Sequence, residues 1–110
     1  MKLSVPYMRE VRIRPRAQLD IESLFIHIAF ELNDRKAAFD TVEAIYGALE
    51  RIAEFPETGR LFEDADLGRD YRRVLVRSYW AYFTCDEEAV TVWRIFHERR
   101  DIDNCTVVDL

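Results

Sequence analysis

Two histidines occur in the chain, and they sit in different settings. His97 precedes Glu98, Arg99 and Arg100, so a general acid–base group, a carboxylate and two guanidiniums stand side by side. A metal-free nuclease needs a base, an acid and cations on the phosphate, and these residues are of the right types. Against that chemistry, the strand-like segments hold no second histidine and no lysine, and no carboxylate pair is evident. His27 lies among apolar positions of a helical stretch and reads as a partly buried structural residue. Spacing suggests no Ser/His/Asp or Cys/His constellation and no metal motif. With three glycines there is no phosphate-cradling loop either. We therefore expect neither metal nor cofactor.

The arginines are the second chemical feature. Fourteen arginines stand against two lysines, Lys2 and Lys36, a bias that suits planar, bidentate or stacked contacts. Arg72, Arg73, Arg77, Arg94, Arg99 and Arg100 fall within strand-like sequence. Singly, each is an ordinary solvated strand residue. Clustered near Trp80, Tyr82 and Trp93, they could grip an anionic or acidic surface, since arginine and aromatics dominate interface hot spots. The formal net charge is −5, which argues against a dedicated nucleic-acid binder. That sum hides a segregation. Residues 17–68 hold four bases and twelve acids, whereas residues 69–100 hold seven bases and five acids.

Positioning these groups requires a scaffold, and the periodicity supplies one. At 110 residues and 49% apolar composition the chain fits one domain with a real core. Residues Arg9 to Arg14 alternate, with Val11 and Ile13 on one face, and predict a short strand closed by Pro15. From Ala17 to Glu31, Ala17, Ile21, Leu24, Phe25 and Ile28 form one helical stripe. Asn33-Asp34 breaks it, and Asp34 suits the N-cap of a second helix reaching Glu54. That helix carries Ala38, Val42, Ile45, Leu49 and Ile52 inward. Pro56 forbids continuation and Gly59 is expected to supply the turn. After an acidic loop, Glu63 to Gly68, three strands follow: Tyr71 to Arg77, Trp80 to Cys85 and Val90 to His97. Their turns are Ser78-Tyr79 and Asp86 to Ala89. The first strand should join this meander beside its last or second member. The expected class is α+β, a helical hairpin packed on a four-stranded, mainly antiparallel sheet.

Both helices carry a second apolar line. Leu19, Ile26 and Phe30 lie seven and four apart, and Phe39 and Tyr46 seven apart. A two-layer domain buries one stripe per helix, so these five face water or a partner unless the buried arc is wider. The sharper reading is a groove for an amphipathic segment. No run approaches the ~18 apolar residues of a membrane helix, and Met1 to Met8 lacks the apolar region of a signal peptide. Cys85 and Cys105 read as free thiols of a reducing cytoplasm.

The ordered motifs resemble the RelE/ParE superfamily of bacterial toxins, its ParE branch most closely. They are Val11-Arg12-Ile13-Arg14-Pro15-Arg16-Ala17, Asp20-Ile21, Ile28-Ala29, and Leu49 with Phe55-Pro56-Glu57-Thr58-Gly59-Arg60. Arg72-Arg73-Val74 and Val92-Trp93-Arg94-Ile95-Phe96-His97-Glu98-Arg99-Arg100-Asp101 complete the set. The resemblance spans residues 9–101 of a single toxin domain, 1–110, and leaves a tail, 102–110, with no assigned role. It implies the toxin of a type II toxin–antitoxin module, neutralised by a ParD-like antitoxin whose extended or helical tail wraps it. ParE toxins poison DNA gyrase, whereas RelE toxins cut mRNA in the ribosomal A site using Lys and Arg, often with Tyr or His. Here only arginines, Tyr82 and His97 match the latter set, and the acidic charge disfavours docking on ribosomal RNA. The implied function is gyrase inhibition without catalysis, with no membrane partner and no specific DNA binding by the toxin alone. The alternatives are a RelE-like ribosome-dependent endoribonuclease, with His97 catalytic, or a degenerate toxin retaining antitoxin binding. Target-binding candidates are Arg72, Arg73, Arg94, His97, Arg99 and Arg100. Antitoxin-binding candidates are Leu19, Ile26, Phe30, Phe39, Tyr46, Trp80 and Tyr82.

Overall fold

The computed structural model describes residues 8–62 and 70–100, so the acidic loop Glu63 to Gly68, Cys105 and the 102–110 tail lie outside the described residues. Strand β1 (Glu10–Ile13) leads into helix α1 (Pro15–Ile26), a π turn (His27–Glu31) and helix α2 (Arg35–Glu54). A 3₁₀ turn (Pro56–Thr58) then precedes β2 (Arg60–Phe62), β3 (Tyr71–Val76), β4 (Tyr79–Cys85) and β5 (Ala89–His97). The two helices cover one face of a single sheet of order β1-β5-β4-β3-β2. The α+β class holds, with five strands in place of four. The added strand, β2, is three residues long and pairs antiparallel with Tyr71–Arg73. Three residues are too few for alternation to register as a pattern.

β1 takes the place beside the last strand, running parallel to β5 from Glu10 opposite Ala89 to Ile13 opposite Val92. Pro15 ends the strand and also starts α1, where its missing N–H costs nothing and its φ is preset. The first helix is not uniform as expected. Its last turn widens to a π turn in which the Leu32 N–H donates to the His27 carbonyl at 3.0 Å. That turn buries two successive residues, Ile28 and Ala29. Asn33 then adopts a φ of 53°, a left-handed conformation that asparagine tolerates. Asp34 caps α2 by accepting from the Ala37 N–H at 2.9 Å, as its type predicts. The core lies between layers: Ala17, Ile21 and Leu24, with Ile45, Leu49 and Ile52, against Ala81, Phe83, Val90 and Val92. Among the described residues, no helix is long and apolar enough to cross a membrane.

Three local expectations are corrected. The β3–β4 turn is Arg77-Ser78, with Arg77 at φ 55°, because Val76 already pairs with Tyr79. Ala89 belongs to β5, while Asp86 holds the other turn by accepting from the Glu88 and Ala89 N–H groups at 2.8 Å each. Those bonds, led by Ala89, keep the Asp86 carboxyl below its usual range. Its contribution to stability is therefore whole above a pH of about 4 and fades as pH falls toward the lowered value. In melts recorded down the acid range, the gap between wild type and Asp86→Ala should narrow below that point.

Gly59, third, is not a turn residue in the left-handed sense, since its φ is −78°. The 3₁₀ turn bends the chain, and the glycine is needed for closeness: an added Cβ would lie 2.6 Å from Cε1 of the buried Phe83 ring. Gly59→Ala should cost about 1–3 kcal/mol through overpacking, read by chemical denaturation. A second change, Phe83→Leu, should then recover part of the loss.

Candidate functional site

The second apolar line of the helices stands in solvent. Leu19, Ile26, Phe30 and Phe39 are between 55 and 63% exposed, and Tyr46 is 38% exposed. Ile26 and Tyr46 rim a groove of about 450 Å³ between α1 and α2, floored by Ile21, Phe25 and Val42, with Glu22 at its edge. Phe39 abuts this floor, its ring edge-on to Phe25 with centroids 4.9 Å apart. Phe30 lies beyond it, under the Arg35 guanidinium at 5.5 Å. Leu19 is exposed on α1 outside the groove's lining. A channel this apolar, set in an acidic helical layer, fits the nonpolar face of an amphipathic partner segment.

The arginines do not form one cluster, because the register divides them between faces. Arg72 stands opposite Phe83 on the helix side, where it donates to the Gly59 carbonyl at 2.9 Å. Arg73 stands opposite Tyr82, and Tyr82 opposite Arg94, on the outer face. There the Arg73 guanidinium lies 4.1 Å from the centroid of the Trp80 ring and reaches the Tyr82 hydroxyl at 3.3 Å. Arg94 and Arg100 flank Phe96 at 4.4 and 4.5 Å. This lamination of guanidiniums and rings is what an arginine-rich, lysine-poor composition suits.

Two candidates leave the accessible set. Tyr82 is fully buried and presents nothing to a partner. Arg94 is buried too, and its Nε and Nη2 donate to Asp20 at 2.7 and 3.0 Å. The reason is a β-bulge: Tyr82 faces Arg94 and Phe83 faces Val92, so Trp93 is an extra residue. β1 stops at Ile13, and beyond it the outer edge of β5 is met by α1. Asp20 also accepts from the Ile95 N–H at 2.9 Å, satisfying a backbone donor that no strand covers. Asp20 entered the sequence reading only as part of a motif, since no spacing rule links positions so far apart.

His97 faces the helices, opposite Tyr79 with ring centroids 5.2 Å apart, and its Nδ1 accepts from the Arg99 N–H at 3.1 Å. It is thus on the other side of the sheet from Arg73, Trp80 and Phe96. His27 is exposed, not partly buried, and its Nδ1 is paired with Glu31 across the π turn. Arg99 and Arg100 are exposed just past β5, and Trp80 is half-buried. Among the described residues, no group of three His, Cys, Asp or Glu side chains could hold a metal ion.

Comparison with known proteins bears on this arrangement. Residues 11–102 match the family model described as the ParE toxin of the type II toxin–antitoxin system, parDE. No curated protein matches. Among solved structures, the chain is similar to one of the chromosomal ParDE system from P. aeruginosa, with a TM-score of 0.66 and 16% identity, covering 82% of this chain and 96% of that one. It is also similar to one of the toxin–antitoxin complex RelBE2 from Mycobacterium tuberculosis, with a TM-score of 0.56 and 22% identity, covering 86% and 94%. At these identities the likeness is one of fold.

Proposed function

This chain belongs to the ParE toxin family of type II toxin–antitoxin systems, and from that premise we propose that it inhibits DNA gyrase in the cytoplasm and is held inactive by a ParD-like antitoxin. The groove carries this reading: an isolated domain gains nothing from Ile26 and Tyr46 in water above an apolar floor, whereas a bound amphipathic segment would bury all of them. Both similar structures come from toxin–antitoxin systems, which supports an antitoxin as the occupant. Gyrase inhibition is favoured over RNA cutting by the division of the sheet. The imidazole of His97 is on the helix side, apart from the outer-face guanidiniums of Arg73 and Arg94, and the latter is committed to Asp20. A cleaving site would want acid–base and cationic groups on one scissile phosphate.

A second reading, ribosome-dependent mRNA cleavage of the RelE kind, draws on the fold likeness to the mycobacterial RelBE2 complex. Induced expression without antitoxin separates the two. Filamentation, a DNA-damage response and purified gyrase trapped on cleaved plasmid are expected. Codon-positioned cuts in translated mRNA with gyrase unaffected would overturn the proposal. Silence in both assays would also overturn it, and would leave a degenerate toxin that binds only its antitoxin.

A further inference from the structure

Three side chains outside that reading, His27, Tyr79 and His97, form the shared wall of two adjoining clefts of about 310 and 290 Å³. The clefts lie where the π turn approaches the β3–β4 hairpin, with Arg100 lining one and Arg77 the other. Tyr79 is only 8% exposed, with its ring edge-on to that of His97, and its hydroxyl has no hydrogen-bond partner among the described residues. No fully buried side-chain oxygen there lacks a partner, so the phenol oxygen reaches the cleft surface. Burial raises the Tyr79 pKa, which keeps the phenol protonated and a donor at neutral pH.

The two imidazoles differ in what they present. His97 Nδ1 accepts from the Arg99 N–H and therefore bears no proton in the neutral ring, which leaves the proton on Nε2. His27 Nδ1 donates to the Glu31 carboxylate, so its Nε2 becomes a donor only when the ring is an imidazolium. The acids nearby are already engaged. Asp20 at the rim is held by Arg94 and the Ile95 N–H, and Glu31 by His27. A pocket with donors from Tyr79 and the neutral His97 ring, a third from His27 once that ring is protonated, and the Arg77 guanidinium at its rim suits an anion with more than two acceptor oxygens. The floor includes Leu24 and Ile28, which would take an apolar or ring-bearing body. We propose that this double cleft binds a phosphate group carried on a small organic body, with Tyr79, the His97 ring and the His27 imidazolium donating to its oxygens. Arg77 supplies the balancing charge. The double cleft shares no lining residue with the antitoxin groove.

Because the chain has two histidines, each ring's Hε1 proton is a resolved NMR reporter. Inorganic phosphate added to the full chain should move both signals saturably and raise both histidine pKa values, since a bound anion favours the imidazolium. Chloride at equal ionic strength should do neither. Tyr79→Phe should weaken phosphate binding about tenfold, the loss of one hydrogen bond to a charged group. Arg77→Asn, which keeps a residue tolerant of the left-handed turn, should weaken it similarly. Both variants should melt close to wild type. Equal shifts in chloride, movement of only one histidine, or unaltered binding by folded Tyr79→Phe would each overturn the proposal. A nucleoside 5′-monophosphate and a short RNA without terminal phosphate then identify the source. Tighter binding of the first marks a free nucleotide-like ligand, and tighter binding of the second a strand's phosphodiester.

Discussion

Replacing Asp20 with alanine is expected to destabilise the free protein by about 3–5 kcal/mol, the usual cost of stranding a buried charge. The carboxylate receives Arg94 Nε, Arg94 Nη2 and the Ile95 N–H, and the two side chains keep only 16% and 11% of their surface in solvent. Removing it leaves a guanidinium against Phe96 without its counter-ion and a strand-edge N–H without an acceptor. Urea denaturation would measure the loss. Asp20→Asn, which can still accept from Ile95 but carries no charge, should fall between. Exchanging both partners for leucine and methionine should recover much of the difference, because an apolar pair leaves nothing unpaired. A single-site loss below about 1 kcal/mol, the range of exposed pairs, would mean that the pair is effectively solvated.

The second large effect is on association. Ile26→Glu or Tyr46→Glu should weaken antitoxin binding at least about a hundredfold, or ~2.7 kcal/mol, by forcing an unpaired carboxylate into an apolar interface. Phe30→Glu should do less, since Phe30 stands outside the groove's lining. The free protein's melt should hardly move for any of them, because all three side chains are already substantially exposed. A melt lowered by many degrees would make these residues core and the groove illusory. Phe25, half-buried in the floor, is the contrasting position: a charge there should harm folding and binding together.

What could be read in advance follows from the range of each interaction. The Asp34 cap, the end of α2 before Pro56 and the outward line through Ile26, Phe39 and Tyr46 are local, set by spacing within one element. The exposure of that line was legible because two stripes on one helix cannot both face one sheet. The division of Arg72 from Arg73 follows from strand alternation alone. The withdrawal of Arg94 and Tyr82 from the surface does not. It depends on a bulge at Trp93 and on a carboxylate brought from α1, and neither is encoded within a single element. Gly59 illustrates the same limit: its neighbour Phe83 is distant in sequence, so only the folded packing reveals why a side chain is excluded there.

The parallel pairing of β1 with β5 has a temporal consequence. Among the described strands, residues 10–13 pair with residues 89–92, so the earliest of these strands to leave the ribosome finds its partner in the latest. The helical hairpin, built from near neighbours, can form while later residues are still being synthesised, but such a long-range closure is slow and must await residues 89–92. Until β5 emerges, the edge that Asp20 caps does not exist, and neither does the outer arginine face. A nascent copy of this protein thus has the residues of the α1–α2 groove in hand before it has assembled the sheet.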